Sequence, residues 1–386
     1  MNTKLAMTAR TAGRDDIAEM LQTTRQCTLS LLEAYASHLG EATTIPYSSQ
    51  FNPPRWEAGH VAWFQEFWLA RNPQRALGVL ADPDIVRPNG HLAEADAWYN
   101  SSLVAHERRW QLPLPDLAET RNYLAAVLSD SLVLLATTPE TDEALYFFRL
   151  ALFHEAMHCE AGIYMAQALG IPLSAGLLPL AEALPQNIVC QIPAQSWQLG
   201  YAEGGFAFDN ELLAHSVELA GFAIDSEVVS WRRYLPYIEA TNAPLPRYLR
   251  RESGVWETQR FGAWQALALD QHACHLTWFE ADAWCRWAGR RLPTEAEWAC
   301  AALRHPTFHW GQVWEWTASR FAPYPGFVAH PYRDYSVPWF AENRYVLRGA
   351  SRATLPCMVH PRYRNYFTPE RNDIYGGFRS CAVAVK

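Results

Sequence analysis

The feature that most constrains this chain is a change of texture near its midpoint. Up to about residue 170, apolar residues recur at three- and four-residue steps, the pattern of amphipathic helices. Beyond about residue 190 they fall into short runs set among Trp, Gly, Pro and Tyr, and 12 of the 17 tryptophans lie there. One grammar builds helices that pack along their lengths; the other builds short strands joined by ordered loops. The expected architecture is therefore multidomain, α followed by α+β. A helical bundle spans residues 1–185 and a loop-rich domain spans 190–386, with the link near ALPQNIVCQIP.

Within the first half, RDDIAEMLQTTRQCTLSLLEAYASHL, PPRWEAGHVAWFQEFWLARN, HLAEADAWYNSSLVAHERRW, TRNYLAAVLSDSLVLLAT and PETDEALYFFRLALFHEAMHCEAGIYMAQALG each read as helix. The paired prolines suit a first helical turn, and Gly170 suits a C-terminal stop. In the second half, SWQLG, HSVELAGFAID, YVLRGAS and GGFRSCAVA read as strands. TWFEADAWCRWAG reads as a helix, followed by a turn-like RRLPTEAEW. There is no internal repeat.

With 386 residues, 49% of them hydrophobic and 19% charged, each half can bury its own core. A net charge of −8, without a basic cluster carrying interleaved aromatics, argues against a nucleic-acid partner. No stretch approaches the apolar length of a membrane span, and the first residues lack the apolar run of a signal peptide, so the expected location is cytoplasmic. Eight scattered cysteines without CxxC pairing then read as reduced thiols.

The histidines carry the chemistry. His154 and His158 stand four apart in the strongest helical segment, so they share a face with Cβ atoms roughly 5–6 Å apart. Such a pair either binds one metal or packs as two ordinary imidazoles. His60, on an aromatic helix face, reads alone as a core residue; beside the pair it would complete a three-imidazole cap suited to zinc or iron. The string His154-Glu155-Ala156-Met157-His158 also spells HExxH, the zinc-protease signature, although no HxxGxxH follows it.

RWEAGHVAWFQE followed by HEAMHCE resembles the DinB-like bundle of the ergothioneine-synthase family. HLTWFEADAWCRWAGRRLPTEAEW, VWEWTAS, YPGFVAHPYRDYS, YVLRGAS and GGFR resemble the formylglycine-generating-enzyme domain, a variant of the C-type-lectin scaffold. The resemblance implies Fe(II) held by His60, His154 and His158, leaving open positions for a substrate imidazole, a chalcogenide and O2. It implies that the family substrate, hercynine, gains sulfur or selenium at imidazole C2. Pro331-Tyr332-Arg333-Asp334-Tyr335-Ser336 matches the family's tyrosine string, with Tyr332 as the catalytic proton donor and Tyr335 as a substrate contact. Asn365, Tyr366 and Phe367 match its substrate-binding segment, Tyr366 offering a cation–π face to the trimethylammonium.

Three departures bear on the donor. Phe367 stands where the family places an acid that holds the amine of γ-glutamylcysteine. Arg108 and Arg109 are not followed by the family's arginine-rich loop. Met157 stands where a Gln is common. A donor with two carboxylates and an ammonium needs charged partners. Their loss implies a neutral selenosugar and the selenoneine-forming branch; ergothioneine formation from cysteine or γ-glutamylcysteine is the alternative. A copper oxidase of the formylglycine type is disfavoured, because MVHPRYRNYF lacks its cysteine pair. An HExxH zinc hydrolase and a non-enzymatic binding module complete the readings.

Overall fold

The computed structural model describes residues 4–383. Its first half is built on α1 (Lys4–Thr11), α2 (Arg14–Leu39), α3 (Pro54–Trp68), α4 (Ala95–Tyr99), α5 (Leu117–Ala136) and α6 (Asp142–Leu169). The ends of these helices follow from local chemistry. Pro54 opens α3, where a missing N–H costs nothing. Asp116 accepts the Glu119 N–H at 2.8 Å while the Glu119 carboxylate accepts the Asp116 N–H at 3.0 Å, a reciprocal cap on α5. Gly170 ends α6 at φ 71°, a left-handed stop that favours glycine.

The helix expected across HLAEADAWYNSSLVAHERRW is largely absent. Only α4 and a 3-10 turn at His106–Trp110 form there. The Asn100 side chain accepts the Ser102 N–H at 3.0 Å, a local turn that competes with helical hydrogen bonding. The resulting irregular segment packs beside α3.

The second half begins with β1 (Val189–Ile192), β2 (Gln195–Leu199), β3 (His215–Leu219), β4 (Phe222–Asp225) and α7 (Trp231–Thr241). A meander follows: β5 (Leu249–Glu252), β6 (Val255–Arg260) and β7 (Ala263–Ala266). Then come α8 (Trp278–Trp287), β8 (Arg290–Arg291), α9 (Glu295–Arg304), β9 (Trp314–Arg320), β10 (Tyr345–Gly349), β11 (Asn365–Phe367), β12 (Gly376–Gly377) and β13 (Cys381–Ala382). One sheet has the order β1-β4-β13-β8 and another β11-β10-β9-β12; β2 pairs with β3. RRLPTEAEW is more than a turn, since Thr294 and Glu297 form a capping box that starts α9. α7 escapes the sequence reading because Pro236 interrupts its pattern.

Buried charge ties the halves together. Arg10 of α1 donates to both Glu211 oxygens, at 3.0 and 2.7 Å. Glu160 of α6 accepts from Trp314 (2.7 Å), Ser351 (2.7 Å) and Thr354 (2.9 Å). These contacts fix the crevice between bundle and sheet. No helix among the described residues is long and apolar enough to cross a membrane.

Two predictions follow from burial. Arg379 and Glu315 are both fully buried and pair at 2.7 Å. Arg379→Met leaves the carboxylate unpaired and should cost about 3–5 kcal/mol in urea unfolding. Burial also pulls His272 and His275 down to about 3, and His330 to about 4. These groups stay neutral when folded but take protons near pH 6.5 when unfolded. Stability should hold above that pH and fall as the pH drops from 6.5 towards 3, a trend readable from urea midpoints against pH.

Candidate metal centre

α6 carries His154 and His158 on one face, and α3 packs across it to bring in His60. One ligand atom from each of the three lies within 4.8 Å of the others. Ring centroids are 5.0 Å apart for His60–His154, 4.9 Å for His60–His158 and 4.4 Å for His154–His158. The Nε2 atoms of His154 and His158 stand 3.2 Å apart. His60 and His154 are buried, and His158 is half-buried at the edge of a chamber.

Outer contacts orient these rings. His60 Nδ1 lies 2.7 Å from the Tyr99 carbonyl, which can only accept, so Nδ1 carries the proton and Nε2 presents its lone pair. His158 Nδ1 is engaged by the Glu57 carboxylate. Burial pushes the Glu57 carboxyl up, but the neighbouring His158 and its hydrogen bond prevail and bring it down to about 2. Burial, aided by His158, pulls His60 down to about 3; burial likewise holds His154 well below the usual imidazole range. Trp56 stacks on His60 at 4.8 Å, and Phe64 stacks on His154 at 3.5 Å. Such a set of imidazoles, converging in a dry aromatic wall, fits a first-row transition ion of the iron or zinc kind.

Glu155 has no part in the cluster. Its carboxylate is buried and bound by Arg25 at 2.7 and 3.0 Å and by Thr28 at 2.7 Å. One residue on from His154, it points into the packing between α2 and α6. A zinc hydrolase needs this glutamate beside the metal as its base, so the HExxH spelling does not carry that chemistry here.

The second half closes the site. A chamber of about 300 Å³ is lined by His154, His158, Tyr332, Tyr335, Asn365, Tyr366 and Phe367, among others. His60 stands behind this wall. The Tyr332 ring lies 6.0 Å from His154 and 4.8 Å from Phe64, centroid to centroid. Burial pushes its phenol up, so it keeps its proton near neutral pH. Tyr366 donates its hydroxyl to the Tyr335 carbonyl, stacks one face on Phe321 at 3.8 Å and has the Arg344 guanidinium 5.9 Å from its ring centre. Beyond Tyr332 a second chamber of about 270 Å³ is lined by Trp63, Phe67, Trp68, Asn100, Ser101 and Ser102 among others.

Sequence reasoning missed Glu57, Phe64 and Tyr363. Glu57 lies three residues before His60, a spacing that sets both on one side of α3. Tyr363 bonds to the Tyr335 hydroxyl and donates to the Met157 sulfur at 3.4 Å. No local pattern marks it.

Residues 181–312 and 306–384 match the model of the sulfatase-modifying factor enzyme 1-like domain, which is more than half of the chain. The chain belongs to the sulfatase-modifying factor enzyme 1-like family. In this member the family domain follows a bundle, where residues 20–161 match the DinB superfamily. The chain is 29% identical to hercynine oxygenase of Mycolicibacterium smegmatis, over 95% of its own length and 98% of that protein. It is 28% identical to hercynine oxygenase of Mycobacterium tuberculosis, over 86% and 91%. A formylglycine-generating enzyme of Streptomyces coelicolor is 30% identical over 31% of this chain and 49% of that protein. With such relatives this member of the family is an enzyme, an oxidoreductase by class.

His154→Ala should abolish tight metal binding, measured by titration with Fe(II) or Zn(II), while the circular dichroism spectrum stays unchanged. Glu57→Gln should weaken it about 10–100-fold through loss of the outer contact. Glu155→Gln should destabilise the fold without removing the metal site.

Proposed function

We propose that the chain joins the selenium of a selenosugar to C2 of the hercynine imidazole, using O2 and Fe(II) held by His60, His154 and His158. The observation that carries this reading is the position of Tyr332. Its ring borders both chambers, the larger of which reaches His154 and His158, so two substrates can meet beside the cluster with Tyr332 between them. The relatives named hercynine oxygenase support the first substrate.

The larger chamber suits hercynine. The Tyr366 ring offers a cation–π contact to the trimethylammonium, and the Asn365 amide offers a hydrogen bond. Tyr335 adds a phenol fixed by Tyr363. The smaller chamber suits a neutral sugar. Trp63, Phe67 and Trp68 supply stacking faces, and Asn100, Ser101 and Ser102 supply polar groups. Its one guanidinium, Arg333, is already paired with Asp84 at 2.8 Å. Arg109 lies over Trp56 and bonds Asn52 at 2.8 Å. Neither arginine is left over for a donor carboxylate.

Bound Fe(II) supplies open coordination positions and one-electron chemistry with O2. The chain does the remainder. Its aromatic walls exclude water and hold the two substrates in one orientation. The Tyr332 hydroxyl delivers a proton to reduced oxygen as the new bond forms. In sum, the C2–H and Se–H bonds break, C–Se forms, and O2 divides between a selenoxide and water.

The test is anaerobic loading with Fe(II), followed by selenoglucose, γ-glutamylcysteine and cysteine competing with hercynine in air, with products read by mass. The selenium adduct should dominate; products from the thiols alone would overturn the selenium assignment in favour of ergothioneine formation. Tyr332→Phe should lower kcat at least about 100-fold, with hercynine KM changed by no more than about twofold.

A further inference from the structure

A second polar cavity lies apart from the histidine cluster. It holds about 220 Å³ and is bounded by Gln167 near the end of α6, the connecting segment at 178–181, strands β6 and β7, the loop at 271–275, and Arg352 and Tyr375. Its wall includes buried residues that carry polar atoms: His272 and Tyr375 at 3% exposure, Tyr248 at 6% and His275 at 8%. Among the described residues, His272 Nδ1, His275 Nδ1, the Tyr248 and Tyr375 hydroxyls and Arg352 Nε have no hydrogen-bond partner. Buried polar groups are nearly always satisfied, so five orphans in one cavity wall need an explanation.

Charge gives it. The wall contains two guanidinia, Arg260 and Arg352, and no carboxylate. Among the described residues, neither arginine forms an ion pair with an acidic side chain. Arg352 donates to the Pro179 carbonyl at 2.6 Å, and Arg260 to the Leu178 carbonyl at 3.4 Å. Burial and then the like charge of Arg260 pull the Arg352 guanidinium below its usual range. Arg352 also acts electrostatically on both His272 and His275, so these groups are mutual neighbours. His275 packs between Tyr248 and Tyr375, each at 4.7 Å. Both guanidinia are half-buried and line a space whose wall offers them no carboxylate.

We infer that this cavity is a binding site for an oxyanion of the phosphate class, taken either as the free ion or as the monoester of a small molecule. Guanidinium and phenol donors arranged around one space match an acceptor with several oxygens. Both arginines also hold the carbonyls of the segment that joins bundle to sheet, so the bound anion would brace that connection. The site is independent of the metal centre and of the donor assignment.

The experiment is isothermal titration of the full chain with inorganic phosphate and, separately, glycerol 3-phosphate, in chloride buffer of matched ionic strength, with thermal melts alongside. Saturable binding is expected, with a melting temperature that climbs with ligand concentration. Tighter binding of the ester identifies a monoester site; tighter binding of phosphate identifies a free-ion site. Arg352→Met should weaken binding about 10-fold or more, and His154→Ala should leave it unchanged. Arg260→Met, checked by circular dichroism, gives the same test if Arg352→Met does not fold. Absence of saturable binding by either ligand, or binding that survives both arginine variants, overturns the proposal.

Discussion

The geometry of the histidine cluster depends on where two of its three imidazoles place their Nδ1 atoms. His60 gives its Nδ1 proton to the Tyr99 carbonyl, and His158 gives its Nδ1 to Glu57. Once those nitrogens are committed, Nε2 is what remains, and helix packing turns it inward. The irregular segment between α3 and α5 is thus part of the centre, because it supplies the Tyr99 carbonyl. A regular helix there would have used that carbonyl internally.

The bundle makes the cluster but cannot make a closed site. The sheet domain contributes Tyr332, Tyr335 and the β11 residues, and it is held against α6 through Glu160 and against α1 through Arg10. One of these contacts is a buried ion pair and the other a carboxylate held by neutral donors; they add little net stability but penalise any other docking, since a misplaced half would strand a carboxylate away from water. The register between the halves is therefore set by polar chemistry, while the apolar core supplies the adhesion.

Much of this was legible in residue order, and the limits are physical. The 3.6-residue period marked α2, α3, α5 and α6, because each buries one stripe. It failed at 91–110, where Asn100 diverts the backbone into turns, and at α7, where Pro236 breaks the pattern. His154 and His158 are visible as a pair because one helix sets their spacing. His60 and Tyr332 join them only through packing and through likeness to known sequences; no local rule brings residues 60 and 332 together. Glu155 shows the converse: its spelling fits a hydrolase, and only the helical phase reveals that it faces Arg25. Orphaned atoms such as those on His272 and Tyr375 have no sequence signature at all.

Tyr332 is a partition, because one ring borders both chambers. Its ring separates two compartments that would otherwise run together beside the histidines. A side chain in that position decides how freely one chamber opens into the other. Shortening it would merge them into one larger space beside His154. The division of this space thus rests on the bulk of one ring, a property distinct from the hydrogen-bonding capacity of its hydroxyl.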